Sequence, residues 1–188
     1  MYKACFLDRD GVLIEEEDYL CDPAKARLCP GAVEAIKLAH SVGRKVILIS
    51  NQAGIAKGKF KMEDLKAVHA KVEELLAEQG VALDGYYYCP HHAKGIVPEY
   101  TRDCPCRKPG PGMILKAAGE HDLDIKNSFM IGDRLTDLEA GVNAGCSAVA
   151  LVRTGYGEQQ ELPQYPGVTV IDAKNIGEAV SGLVKLMD

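Results

Sequence analysis

Six short apolar runs recur along the chain: KACFL at 3–7, KVILIS at 45–50, GYYYC at 85–89, NSFMI at 127–131, SAVALV at 147–152 and VTVI at 168–171. Runs of this length and composition read as strands buried on both faces. Between them the hydrophobic spacing turns helical. Pro30, taken as a first helical residue, opens a pattern in which Val33, Ile36 and Ala39 share a face before Gly43 closes it. Met62 to Gln79 places Leu65, Val68, Val72, Leu75 and Leu76 on one side, with Gly80 as the stop. Weaker helical patterns cover 112–121, 135–144 and 174–187. Strands alternating with helices imply right-handed crossovers, so the expected architecture is α/β: a Rossmann-like, mostly parallel sheet with helices on both faces. No repeat, low-complexity tract or long linker interrupts it, and one domain over residues 1–188 is expected. The intervals from Ile14 to Ile47 and from Gly54 to Gly85 leave no room for a large cap, so the expected form is capless. The stretch EQQELPQYP at 158–166 reads as a surface loop.

Charge and length exclude several classes. With 22 basic against 27 acidic residues the net charge is -5, which argues against a general nucleic-acid surface. No apolar run approaches the roughly 18 residues of a membrane span, and MYKACFLDRD is too short and too acidic for a signal peptide. A cytoplasmic protein is expected, with most of its seven cysteines reduced, so a cluster of them points to metal before disulfide.

The polar chemistry sits at strand ends. Asp8 and Asp10, Ser50 and Asn51, the turn Cys89-Pro90-His91, and Gly132-Asp133 each follow an apolar run, where sites form in open α/β sheets. If extended geometry persists past residue 7, the side chains of Asp8 and Asp10 project to the same side. With Asp133 they make an oxygen-rich pocket suited to Mg²⁺, and a carboxylate nucleophile attacking phosphorus needs such a cation beside it. Ser50, Asn51 and Lys108 supply donors and positive charge for a transferring phosphoryl group. Asp137 reads either as support for metal waters or a neighbouring lysine, on the face of a helix begun at Asp133, or as a solvated first-turn carboxylate. A second constellation, Cys89, His91, Cys104 and Cys106, has the donor set of a tetrahedral Zn²⁺ site in a loop over 89–106, with His92 the rival of His91. A closed four-ligand site is structural, and it would aim the adjoining Arg107 and Lys108. Cys5, Cys21, Cys29 and Cys146 read as buried or loop thiols.

Asp8-Arg9-Asp10-Gly11-Val12, Ser50, Lys108 and Gly132-Asp133-Arg134-Leu135-Thr136-Asp137 resemble, in order and spacing, the four motifs of the haloacid dehalogenase-like phosphohydrolases, over about residues 3 to 155. Within that superfamily LDRDG, SNQAGIAKGKF, YYCPHH, CPCRKPGPGM and LVRTG resemble the D-glycero-D-manno-heptose 1,7-bisphosphate phosphatases, whose close relatives are the histidinol-phosphate phosphatases. The resemblance implies that Asp8 is the nucleophile and forms an aspartyl-phosphate. Asp10 would act as general acid, then as general base. Mg²⁺ would be held by the Asp8 side chain, the Asp10 backbone carbonyl and the Asp133 side chain, and Ser50 and Lys108 would hold the phosphoryl oxygens. Substrate would be contacted by Arg107 and Arg134, by the loop of Glu16, Glu17, Asp18 and Tyr19, and by the turn Ser50, Asn51, Gln52 and Ala53.

The implied activity is Mg-dependent removal of the 7-phosphate of D-glycero-D-manno-heptose 1,7-bisphosphate, in the synthesis of nucleotide-activated heptose for lipopolysaccharide. The twelve residues between His91 and Cys104 favour the heptose type over the histidinol type, whose spacer is shorter. Val12, Ala53 and Arg134 depart from the Thr, Ser and Lys common in relatives, which leaves hydrolysis in place and bears on sugar or anomer preference. The expected partner is a small sugar phosphate, without nucleic acid or membrane, acting on a monomer. A histidinol-phosphate phosphatase is the alternative within the class. A zinc-stabilised binding module is the alternative outside it, but it leaves the strand-end aspartates without a task. A nucleic-acid end phosphatase needs a basic groove that the charge balance does not supply.

Overall fold

The computed structural model describes residues 1–187. Six strands, β1 (Ala4–Leu7), β2 (Lys45–Asn51), β3 (Gly85–Cys89), β4 (Phe129–Gly132), β5 (Ala148–Val152) and β6 (Thr169–Ala173), join one sheet in the order β3-β2-β1-β4-β5-β6. Every pairing is parallel, with Phe6 opposite Ile47 on one side and Met130 on the other. Five α-helices connect or follow them: α1 (Ala32–Ser41), α2 (Met62–Glu78), α3 (Gly112–His121), α4 (Leu135–Ala144) and α5 (Ile176–Met187). The chain steps outward from β1 to β3, then returns to β4 beside β1 and steps outward the other way. That reversal opens a crevice at the carboxyl ends of β1 and β4.

Alternation within each strand divides the core in two. Cys5, Leu7, Val46, Leu48, Phe129 and Ile131 pack with apolar residues of α1, α2 and α5. Ala4, Phe6, Ile47, Ile49 and Met130 pack with those of α3 and α4 on the opposite face. The central strands β1, β4 and β5 are therefore buried at every residue, which accounts for their unbroken apolar runs, whereas the edge strand β6 is largely accessible. No helix among the described residues is long and apolar enough to cross a membrane.

Among the boundaries that differ from the sequence reading, two are decided by turns. The first helix begins at Ala32, not Pro30. Pro30 and Gly31 occupy the middle of a turn closed by the Ala32 amide on the Cys29 carbonyl at 3.1 Å, and Gly31 is left-handed at φ 84°. Pro followed by a positive-φ Gly is the chemistry of a type II turn, so the proline shapes the approach to the helix rather than its first residue. The fourth strand begins at Phe129 rather than Asn127, because Ile125–Asn127 form a short 3₁₀ turn capped by the Asp124 side chain. Ser128 then leaves the ladder to donate to the Asp124 carbonyl and accept from the Ala4 amide at 2.8 Å.

Leu48 is fully buried in β2 against α1 and α2. Leu48→Ala is expected to lower unfolding free energy by about 2–5 kcal/mol, through lost transfer energy and a residual cavity, with little change in the denaturant slope of a urea titration.

Candidate active site

The chain leaves β1 at Leu7, and the Asp8 amide still bonds to the Ile131 carbonyl of β4 at 3.0 Å. The extended geometry then ends. The amides of Leu13 and Ile14 turn back to the Arg9 carbonyl at 3.0 and 2.9 Å, so a tight turn, not strand alternation, brings both Asp8 and Asp10 to the same cavity. Gly11, at φ 78°, makes this turn possible: a Cβ there would stand 2.4 Å from Asp133 Oδ2.

Lys108 is buried at the floor of the crevice. Its ammonium lies 2.5 Å from Asp8 Oδ1 and 2.7 Å from Asp137 Oδ1, and donates to the Ile49 carbonyl at 2.8 Å. Burial opposes its charge, but the two carboxylates outweigh that and hold the lysine above its ordinary range. Its backbone is clasped by Asn51, which accepts the Lys108 amide at 3.0 Å and donates to the Lys108 carbonyl at 3.1 Å. The helix containing Asp137 begins at Leu135, after Asp133 rather than at it, and Asp137 caps it by accepting the Arg134 amide at 3.0 Å. Asp137 is 1% exposed, so it is not a solvated first-turn carboxylate but the partner of a lysine.

Acidic oxygens of Asp8, Asp133 and Asp137 lie within 4.8 Å of one another. Asp137 is committed to Lys108 and its helix cap. Asp133 Oδ2 accepts the Tyr156 amide at 2.8 Å, while its buried Oδ1 has no hydrogen-bond partner among the described residues. Burial, reinforced by neighbouring carboxylates, pushes Asp8 up to about 7 despite Lys108, and pushes Asp133 up to about 8. A pocket of hard oxygens with an unpartnered carboxylate atom and surplus negative charge fits a divalent cation such as Mg²⁺. The Asp10 side chain stands apart from this group. It accepts from Arg9 Nη2 at 2.9 Å and from Gln52 Nε2 at 2.9 Å, and the same Gln52 nitrogen donates to Ser50 Oγ at 2.9 Å.

The cavity above has a volume of about 350 Å³. Its walls include Glu16, Glu17, Asp18, Tyr19, Asn51, Gln52, Ala53, Arg107 and Arg134, while Ser50 lies beneath Gln52 and is 1% exposed. Glu16, half-buried and facing Asp10, is pushed up to about 7, mainly by burial. The Arg134 guanidinium lies 3.7 Å from the centre of the Tyr156 ring. Arg9, Lys57, Thr136 and Tyr156 also line the cavity and were not singled out in the sequence. Lys57 reaches it by donating to Tyr19 Oη at 2.9 Å. Arg9, Lys57 and Thr136 lie within the quoted motif segments, but only the cavity shows that their side chains line it.

The second constellation is gathered in part. Donor atoms of Cys89, His91 and Cys104 fall within 4.8 Å of one another, a set that fits Zn²⁺. Cys106 lies outside this group of three but within electrostatic reach of Cys104. His91 Nδ1 is 3.8 Å from Cys89 Sγ, whereas His92 Nδ1 accepts the Lys94 amide at 3.0 Å and stands outside the group. Burial pushes the Cys89 thiol up to about 12, the penalty a metal would remove. The Arg107 amide bonds to the Cys104 carbonyl at 3.0 Å, and Arg107 Nη1 donates to the His91 carbonyl at 3.4 Å, so the thiol loop leads directly into Arg107 and Lys108.

Residues 105–179 match the HAD-hydrolase-like family model. The chain is 42% identical to a D-glycero-beta-D-manno-heptose-1,7-bisphosphate 7-phosphatase of Pasteurella multocida over 155 residues, covering 82% of this chain and 84% of that one. It is 37% identical to the enzyme of the same name from Photorhabdus laumondii over 182 residues, 97% of each chain. The crystal structure of D,D-heptose 1,7-bisphosphate phosphatase from B. bronchiseptica, complexed with magnesium and phosphate, superposes with a TM-score of 0.83 at 34% identity, covering 98% of this chain and 99% of that one.

Asp8 and Asp133 keep a proton more tightly folded than unfolded, where the carboxyl pKa is 3.8. Below that value both states are protonated and nothing is gained or lost. As pH rises from about 4 towards 8, the folded state must give up protons it retained, and stability falls. The metal-free protein is therefore expected to lose melting temperature from pH 5 to pH 8. Added Mg²⁺ should raise it more at pH 8 than at pH 5, by differential scanning calorimetry.

Proposed function

We propose an activity from the premise that this chain belongs to the haloacid dehalogenase-like hydrolases, in the family of the D-glycero-beta-D-manno-heptose-1,7-bisphosphate 7-phosphatases: it removes the 7-phosphate of that sugar bisphosphate, preferring the β anomer. The observation that carries this reading is the contact of Lys108 Nζ with Asp8 Oδ1 at the floor of a cavity whose further cations include Arg107 and Arg134.

Asp8 attacks phosphorus through a carboxylate oxygen, and the bond from phosphorus to the sugar oxygen breaks. Lys108 offsets the charge of Asp8 and is placed to follow it onto the phosphoryl oxygens. Gln52 occupies the Ser50 oxygen as a donor, which leaves the Ser50 hydroxyl hydrogen for a phosphoryl oxygen. Asp10 gives its proton to the departing sugar oxygen, then takes one from the water that hydrolyses the aspartyl-phosphate. The Asp8 carboxylate, the Asp10 backbone carbonyl and the Asp133 carboxylate would hold magnesium. When bound it supplies the positive charge that lets a carboxylate approach a phosphate dianion. Arg107 and Arg134, planar and permanently charged, suit the second phosphate of a bisphosphate. Glu16, Glu17, Asp18, Tyr19, Asn51 and Ala53 line the sugar's path, with loops and no cap domain closing it.

Cys89, His91, Cys104 and Cys106 would hold zinc in a structural role. His91 Nε2 accepts from Arg102 at 2.7 Å, which leaves Nδ1, the nitrogen nearer Cys89, as the one that would face a metal. Cys106 would complete the set as the fourth ligand. All seven cysteines are free, which suits a reducing cytoplasm.

The test compares phosphate release from both anomers of the heptose bisphosphate and from histidinol phosphate with Mg²⁺. A kcat/KM about a hundredfold higher for the β anomer, roughly 2.7 kcal/mol in transition-state binding, is expected. Preference for histidinol phosphate would keep the chemistry and overturn the substrate. Asp8→Asn is expected to abolish turnover while zinc stays bound by elemental analysis; full residual activity would sink the nucleophile assignment. Cys104→Ser is expected to lose zinc and to lower kcat/KM about tenfold, by loosening the loop that carries Arg107 and Lys108.

A further inference from the structure

Asp10 has a partner that no step above uses. Arg9 lies between the two aspartates in sequence and lines the cavity, yet it is only 1% exposed. Its Nε lies 3.2 and 3.1 Å from Asp10 Oδ1 and Oδ2, and its Nη2 lies 2.9 Å from Oδ1. Contacts from two nitrogens to both carboxylate oxygens define the plane of the carboxylate as well as attracting its charge. Gln52 Nε2 holds Oδ2 at 2.9 Å as a second donor.

The guanidinium itself is set in a polar core. Tyr88 and Asp8 lie within electrostatic reach of it, and Tyr88 Oη is hydrogen-bonded to His69 Nδ1 of α2. His69 Nε2 in turn lies 3.5 Å from Glu73 Oε1. Arg9 Nη1 has no hydrogen-bond partner among the described residues. A buried guanidinium with an unsatisfied nitrogen is a costly way to fill space that an apolar residue would fill better. Among the described residues its one salt bridge is to Asp10, and that pairing is where its cost finds a use.

We propose that Arg9 is a positioning residue for Asp10: its guanidinium holds the carboxylate in the orientation from which a proton reaches the leaving-group oxygen. The proposal rests on the reading of Asp10 as general acid and base. Arg9 touches neither substrate nor phosphoryl group in this role. A carboxylate offers roughly four lone-pair sites, so Arg9 and Gln52 leave room for the proton Asp10 carries. The turn that places residue 9 beside residue 10 also explains why the cation comes from the neighbouring residue: Arg9 follows Asp10 through any adjustment of the loop.

The test uses two substrates that differ in their need for an acid. With heptose 1,7-bisphosphate the phosphorus–oxygen bond breaks as the Asp10 proton passes to the sugar oxygen. With 4-nitrophenyl phosphate the phenolate leaves with its electron pair and needs no proton. For both, kcat/KM covers transfer of the phosphoryl group to Asp8, and the ratio of the two values does not depend on how much of a sample is folded. Arg9→Gln is expected to lower kcat/KM on the heptose substrate by about 30- to 100-fold but on 4-nitrophenyl phosphate by less than about threefold, with Arg9→Lys recovering part of the difference. Equal losses on both substrates would overturn the proposal and make Arg9 a structural residue. Asp10→Asn, measured alongside, should show the same selectivity. If it does not, the reading of Asp10 fails. If it does while the Arg9 variants lose both activities in parallel, the positioning role alone fails. Should Arg9→Gln not accumulate as folded protein, Arg9→Lys carries the comparison alone, with a selective loss supporting the role and a parallel one overturning it.

Discussion

The crevice is organised around one buried ammonium. Lys108 meets Asp8 Oδ1 at 2.5 Å, Asp137 Oδ1 at 2.7 Å and the Ile49 carbonyl at 2.8 Å. It thereby ties together the end of β1, the end of β2, the first turn of α4 and the loop that leaves the thiol cluster. Neither sign of charge is tolerable here without the other, because an isolated ion at this depth would carry most of its desolvation cost unrelieved. The balance is deliberately incomplete. Asp8, Asp133 and Asp137 set three carboxyl groups against the one ammonium, which leaves a surplus of two negative charges when all are ionised. That surplus adds to the effect of burial, the larger reason Asp8 and Asp133 resist ionisation, and it matches the charge of one divalent cation.

How much of this was legible in the sequence depends on the range of the interaction that decides each point. The strands β1, β4 and β5 are buried on both faces, so their apolar runs were plain, and the strand-end rule then located Asp8 and Asp133. Pro30 and Ser128 misled by a residue or two because each serves a turn, and turn chemistry competes with element boundaries on equal terms. Asp137 was ambiguous for a different reason. Its character is set by Lys108, brought to it by the fold from a distant part of the chain, and nothing in its local neighbourhood separates a lysine's partner from a solvated helix cap. Arg9 was invisible to strand logic, which assigns residues 8 and 10 to one face and residue 9 to the other. The turn beginning at Arg9 cancels that alternation.

The thiol loop shows how a distant anchor serves the crevice. Cys104 and Arg107 share a backbone hydrogen bond, and Arg107 reaches back to the His91 carbonyl. The loop over 89–106 has little apolar content to bury, so its shape must come from cross-links rather than from packing. Asn51 supplies one by clasping the Lys108 backbone from the end of β2. A metal joining Cys89 at the end of β3 to Cys104 would supply another, and the two together would fix the segment between them from both sides of the sheet edge.

The two carboxylates that open the site are each matched with a cation of a different kind, and the difference suits the tasks proposed for them. A nucleophile that acquires a phosphoryl group needs positive charge that can move with the developing negative charge, and a lysine ammonium on a flexible stem is a rotatable point charge. A carboxyl group that must give up a proton and take one back needs a constant orientation through both steps, and a planar fork supplies orientation where an ammonium would not. Under the proposed roles, the pairing of Lys108 with Asp8 and of Arg9 with Asp10 is not interchangeable. Exchanging the two cations would place the rigid partner on the group that must adapt and the mobile partner on the group that must stay put.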